Sequence, residues 1–174
     1  MYAAVIIETR EVSGYGDIVR AHLQYLPKDW HLEVFCSAGN GSFVEKELQG
    51  LDYHLTQVVI NSIKDYNQLL MSTAFWQPLT KYERILMFQT DSAILRIGVE
   101  EFLQWDYVGA PWPFRHRGGN GGFSIRNPKA MIAAIEKYGN AYPSLGLVLT
   151  LMRMKFRRMF IKNKTGKNKG QMGY

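Results

Sequence analysis

Asp91 stands three residues past the apolar run Arg84-Ile85-Leu86-Met87-Phe88, which reads as a buried strand. A carboxylate just beyond such a strand sits where open α/β sheets bind their ligands. It suits a hard divalent cation, magnesium or manganese, whose remaining ligands come from a bound diphosphate and water. Gln89 and Ser92 flank it and can support that site through oxygen contacts or hydrogen bonds. Spacing leaves a second role open, in which Asp91 caps the turn or helix that follows.

Gly118-Gly119-Asn120-Gly121-Gly122-Phe123-Ser124 is the second segment with chemical content. Glycines there let the backbone take positive φ and approach a ligand closely, and their N–H groups can hold hydroxyl or phosphate oxygens; the alternative is a flexible surface turn. Upstream, Trp105, Tyr107, Trp112 and Phe114 fall within ten residues, with Pro111 and Pro113 between them. Trp105 and Tyr107 read as core. Trp112 and Phe114 read as exposed faces that suit the C–H surface of a sugar or a base ring. Arg115 and Arg117 follow, and either meet a diphosphate or form a solvated loop. The histidines 22, 31, 54 and 116 lack zinc-site spacing, and His22 and His54 read as structural. Neither a G-x-S-x-G nucleophile turn nor a G-x-x-x-x-G-K-[S/T] phosphate loop is present.

Positioning these groups requires a scaffold, and the first half of the chain spells one out. Ala4–Ile7, Leu32–Cys36, Leu55–Ile60 and Arg84–Phe88 read as strands. Helical spacing appears over Ile18–Leu26, Phe43–Leu48 and Tyr66–Trp76. Alternating strands and helices with almost wholly apolar strands predict an α/β fold with a mainly parallel sheet covered on both faces. The second half predicts helical turns over Glu100–Trp105, short strands at Asp106–Val108 and Phe123–Ile125, and a helix opened by Asn127-Pro128 and closed at Gly139. Between the two short strands runs a long loop, Gly109–Gly122.

Composition narrows the class further. At 174 residues, with 47% hydrophobic and 21% charged residues, the chain fits one domain. No apolar run approaches the ~18 residues of a membrane span, and Met1 leads directly into the first strand without a basic leader. One cysteine, Cys36, excludes a disulfide framework. These features predict a soluble, cytoplasmic protein with no transmembrane segment. The net charge of +6 is uneven: residues 1–140 hold all 15 acids and 13 of the 21 basic residues, and residues 141–174 hold eight basic residues and no acid. The basic tail can bind phosphate backbones nonspecifically or be a solvated end. The body shows no basic clustering, so no specific nucleic-acid partner is expected.

Three ordered segments carry a family resemblance. Glu83-Arg84-Ile85-Leu86-Met87-Phe88-Gln89-Thr90-Asp91-Ser92, then Asp106-Tyr107-Val108-Gly109-Ala110-Pro111-Trp112, then Gly119-Asn120-Gly121-Gly122-Phe123-Ser124-Ile125-Arg126, resemble a family of small glycosyltransferases with QTD, DYVGAPW and GNGGFSIR motifs. Glu8-Thr9-Arg10, Trp30 and Tyr66-Asn67-Gln68-Leu69-Leu70 add to it, so that it spans about residues 3–138. The resemblance implies a GT-A-like, Rossmann-related three-layer fold over residues 1–140, followed by a basic, divergent segment 141–174, partly helical or disordered. It implies a nucleotide-sugar donor, a glycan or other hydroxyl acceptor, and a divalent metal at Asp91, with Gln89 at the first position of a D-x-D-like motif. Ile7, Glu8, Thr9, Arg10, Asn67, Gln89, Thr90, Arg115 and Arg117 would then lie toward the nucleotide sugar. Trp112, Asn120, Gly121, Gly122 and Phe123 would lie toward donor sugar or acceptor. The family pattern also implies a late acid and histidine, and here the chain departs: beyond Gly139 it has no Asp, Glu or His. Asp106 is the remaining nominee for a catalytic base, with a strand-end structural role as its alternative. The departure keeps open a non-catalytic, nucleotide-sugar- or glycan-binding homologue.

Overall fold

The computed structural model describes residues 1–109 and 121–139. Six strands form one sheet: β1 (Tyr2–Ile7), β2 (His31–Cys36), β3 (His54–Gln57), β4 (Arg84–Phe88), β5 (Tyr107–Gly109) and β6 (Ser124–Arg126), in the spatial order β3-β2-β1-β4-β6-β5. β1, β2, β3 and β4 are parallel, and β6 runs antiparallel to both β4 and β5. The expected α/β fold with a mainly parallel sheet is what the chain adopts. β1 and β2 are buried on both faces, which is why they read as continuous apolar runs rather than alternating ones.

Two helical layers cover the sheet. On one face, α1 (Tyr15–Leu23) and α2 (Gly41–Glu47) bury Tyr15, Val19, Val44 and Leu48 against Ala4, Ile6, Val34 and Phe88. On the other, α3 (Ile63–Leu70), α4 (Thr73–Trp76), the 3-10 turn Gln77–Lys81 and α5 (Pro128–Tyr138) bury Leu70, Trp76, Leu79 and Met131 against Ala3, Val5, Ile85 and Met87. Asn127 caps α5 as its sequence position predicts, its Oδ1 accepting from the Lys129 and Ala130 N–H groups.

Two elements differ from the sequence reading. The single helix expected over Tyr66–Trp76 starts earlier and breaks in two. Ser62 caps the start by accepting from the Asp65 N–H at 3.2 Å, while Asp65 accepts from the Asn61 N–H. Trp76 Nε1 donates to the Leu70 carbonyl at 2.8 Å, which satisfies a helix-end acceptor and fixes the break. β3 ends at Gln57 rather than Ile60 because its partner β2 ends opposite it, at Cys36. Among the described residues, no helix is long and apolar enough to cross a membrane.

Candidate functional site at the switch point of the sheet

β1 and β4 are neighbours, yet the chain leaves β1 toward β2 on one side and leaves β4 toward β6 on the other. This is a topological switch point, where the connections diverge and open a crevice beyond the strand ends. The residues that follow β1 and β4 there are Glu8-Thr9-Arg10 and Gln89-Thr90-Asp91-Ser92.

The first loop is tied down from within and from β2. The Glu8 carboxylate, 6% exposed, accepts from the Arg10 N–H at 3.0 Å and from Arg10 Nε and Nη2 at 2.8 Å each. Burial pushes the Glu8 carboxyl up, but the Arg10 hydrogen bonds and charge outweigh it and hold it below the usual range. The Arg10 side chain is 74% exposed and also feels the charge of Asp91, so the salt bridge presents a fixed cation at the crevice. Asn40 Nδ2 donates to the carbonyls of Glu8 and Arg10 at 3.0 Å, and Ser37 Oγ donates to the Thr9 carbonyl. Asn40 is 2% exposed. In the sequence, an amide among the glycines of Gly39-Asn40-Gly41 was the signal available for its bracing role.

The second loop closes on itself. Ser92 Oγ donates to the Gln89 carbonyl at 2.6 Å and receives the Gln89 N–H at 3.1 Å, leaving Thr90 and Asp91 at the apex. His22 of α1 anchors this turn: its Nε2 meets Ser92 Oγ at 3.2 Å and its Nδ1 meets the Ile18 carbonyl. The ring stacks on Phe88 at 4.3 Å and tilts against Phe123 at 6.4 Å. Burial pushes the His22 pKa down, and the ring braces the turn. Thr90 Oγ1 donates to Glu8 Oε2 at 3.4 Å and joins the two loops.

Asp91 is exposed at this edge. Among the described residues no three His, Cys, Asp or Glu side chains gather as a metal-ligand cluster. A single exposed carboxylate fits a hard cation that arrives with most of its oxygens already supplied by a diphosphate and water. The Gln89 side chain lies beside the Tyr66 hydroxyl of α3.

The described end of the glycine segment approaches the same edge: Ser124 opens β6 level with Met87 near the end of β4, and the Phe123 ring tilts against His22, which braces the Gln89–Ser92 turn. A Cβ on Gly121 would strike Arg126 Nη2, and the Gly121 carbonyl accepts from Nη2 at 2.9 Å and from Ser124 Oγ at 3.0 Å. Gly121 is needed for a close approach to the chain's own arginine.

Asp106 lies elsewhere. It precedes β5, level with Arg84 at the start of β4, where it pairs with Arg84 at 3.7 Å and accepts from Asn127 Nδ2 at 2.8 Å. The five residues of β4, at about 3.3 Å each, put it roughly 15 Å or more from the Asp91 edge. The nominated base therefore does not share that edge, and its contacts are those of a strand-end anchor. Ile7 turns its side chain into the core, which leaves only its backbone to meet a ligand, and Asn67 lies half-buried on α3. Trp112, Arg115, Arg117, Asn120 and the segment 141–174 lie outside the described residues. Sequence reading missed Tyr66 and Arg126, the second of which is 2% exposed on β6; an arginine closing the short alternating strand Phe123-Ser124-Ile125-Arg126 was the signal available.

Known proteins place this architecture. Structures similar to the chain include 4-diphosphocytidyl-2C-methyl-D-erythritol synthase from Anaerococcus prevotii DSM 20548, at TM-score 0.62 and 10% identity over 91% of this chain and 86% of that one. Mouse xyloside xylosyltransferase 1 matches at TM-score 0.55 and 13% identity over 91% and 84% of the two chains. The glycosyltransferase GlyE of Streptococcus pneumoniae TIGR4 matches at TM-score 0.50 and 14% identity over 90% of this chain and 44% of that one. The fold is thus the one shared by these glycosyl- and nucleotidyltransferases. No curated protein matches in sequence. The model of the family described as "Protein of unknown function (DUF5672)" matches residues 52–171, which takes in the second loop, the glycine segment and most of the basic tail. The chain belongs to that family.

Proposed function

We propose, from the fold shared with glycosyltransferases and the geometry of the switch-point edge, that the protein is a glycosyltransferase that binds a nucleotide-diphosphate sugar and passes the sugar to an acceptor hydroxyl. The observation that carries this reading is the convergence of three segments on one edge: the Glu8–Arg10 salt bridge, the Gln89–Ser92 turn that presents Asp91, and the end of the glycine segment. Each is held rigidly before any ligand arrives, which lowers the ordering cost of binding.

Asp91 is the residue that would hold a divalent metal, and such a metal would neutralise charge on the diphosphate. Arg10, fixed by Glu8, offers a second positive group to the leaving diphosphate. Asn40 and His22 act through the loops they brace. They are positioning residues. A binding-only protein is the second reading, favoured by the absence of any Asp, Glu or His beyond Gly139.

The test is thermal unfolding of the full chain with a nucleoside diphosphate and manganese. A ligand at a hundredfold excess over its Kd stabilises the native state by about 2.7 kcal/mol, about 5–10 °C for a chain of this size. Asp91→Asn is expected to weaken metal-dependent binding at least tenfold. Donor turnover then separates transfer from binding only, and absence of any shift with every nucleoside diphosphate overturns both readings.

A further inference from the structure

Arg126 is the most unusual side chain in the molecule. Its guanidinium lies over the rings of Trp76 and Tyr107, at 5.6 and 5.5 Å from their centroids. Nε donates to Ser124 Oγ at 2.9 Å and Nη2 to the Gly121 carbonyl. Nη1 is buried and meets no hydrogen-bond acceptor among the described residues. A guanidinium cannot shed its proton inside a protein, so this is a full positive charge held among aromatic faces and neutral oxygens. A buried charge without an opposite charge costs several kcal/mol.

Among the described residues, no carboxylate serves as its counter-charge. All 15 Asp and Glu residues fall within 1–109 and 121–139, and residues 110–120 and 140–174 contain none. Among the described residues, the ion pairs join Glu8 to Arg10, Glu33 to Lys81 and His54, Glu83 to the N-terminus, Asp106 to Arg84 and Glu101 to Arg96. No carboxylate pairs with Arg126. The nearby phenols do not substitute: burial pushes Tyr66 and Tyr107 up, further than the Arg126 charge pulls them down, so both stay neutral at physiological pH.

Position adds the direction. The side chain runs back along β6 from Arg126 to Gly121, toward the edge that carries Asp91. Gly121 is half-buried there, as is Tyr66, beside which Gln89 lies. The guanidinium therefore lies close to two half-buried residues, Gly121 and Tyr66, on the side of the sheet that carries Asp91. We propose that Arg126 is an oxyanion-binding residue, whose Nη1 receives a phosphate or carboxylate oxygen of a substrate entering the crevice between Gln89, Tyr66 and Gly121. This deepens the glycosyltransferase reading, on whose crevice it rests, by assigning the anionic group of the substrate to a residue other than Asp91.

The experiment measures metal-free binding of inorganic diphosphate to the full chain, with glucuronate and glucose as carboxylate and neutral probes. Diphosphate binding that Arg126→Met weakens at least tenfold assigns a phosphate. The same pattern with glucuronate but not glucose assigns a carboxylate. A ligand-binding arginine also predicts that Arg126→Met melts no lower than wild type without anion, since a methionine between Trp76 and Tyr107 removes an uncompensated charge. Arg126→Lys keeps the charge but loses the fork, and is expected to weaken binding at least threefold; it is the readout if the methionine variant does not fold. Unchanged affinity for both anions in either variant overturns the proposal, as does a diphosphate-soaked crystal with the anion bound elsewhere and no anion oxygen within about 3 Å of Nη1. Loss of nucleotide and manganese binding with this anion response intact would sink the glycosyltransferase reading and leave Arg126 standing.

Discussion

Two charges are buried on the same face of the sheet, and the chain treats them in opposite ways. Glu33 of β2 is 3% exposed and surrounded by its own partners: Tyr82 Oη donates at 2.7 Å, His54 Nδ1 and Lys81 Nζ at 2.9 Å. Those partners sit where strands begin, with Lys81 and Tyr82 just before β4 and His54 opening β3. Arg126, equally buried, points toward the edge where β4 ends and finds only neutral oxygens and ring faces. The difference separates structural from functional charge. A charge that serves the fold is matched within the chain, because folding is the only event that repays its desolvation. A charge left unmatched at the ligand edge is one whose desolvation a ligand repays.

The largest expected effect breaks the matched side. Glu33→Ala leaves the buried Tyr82 hydroxyl without its acceptor and should lower stability by about 3 kcal/mol in denaturant unfolding, without altering metal-free diphosphate binding. A small loss, or loss of binding, would erase the contrast with Arg126. The next effect is in acid. Burial pushes the Glu33 carboxyl up, but hydrogen bonds from Tyr82, Lys81 and His54 outweigh it and leave it below the ordinary range. Its stabilising contribution is therefore complete above the unfolded glutamate value, near 4.3, and is lost as pH falls through the depressed folded value. Acid unfolding of Glu33→Gln should be shallower than that of wild type, but not flat, because Glu8 is depressed in the same sense. The smallest effect is Lys81→Met: its side chain is 49% exposed, so chemical denaturation should register about 0.5 kcal/mol.

Much of the fold was legible because its signals are local. β1, β2 and β4 announced themselves as apolar runs, and Asn127-Pro128 marked the start of α5 as observed. The end of β3 was not legible, since a strand stops where its partner does and the partner lies twenty residues upstream. Asp91 and the glycine segment were singled out in the sequence; Asp91 lies exposed just past β4, and Phe123, in the described end of the glycine segment, packs against His22. Asp106 was nominated because it is an acid near the glycine motif in the chain, and the pairing of β4, β6 and β5 carries it to the opposite edge.

The sequence by itself determined the class of fold, the carboxylate at the rim of the sheet and the absence of acid after Glu136, because composition and short-range periodicity depend on no distant partner. Only the tertiary structure decided that His22 braces the Asp91 turn across 70 residues, and that Arg126 lies buried without a carboxylate while Glu33 has three partners. Burial and charge pairing belong to elements brought together from across the chain, and those distances exist only once the sheet has formed.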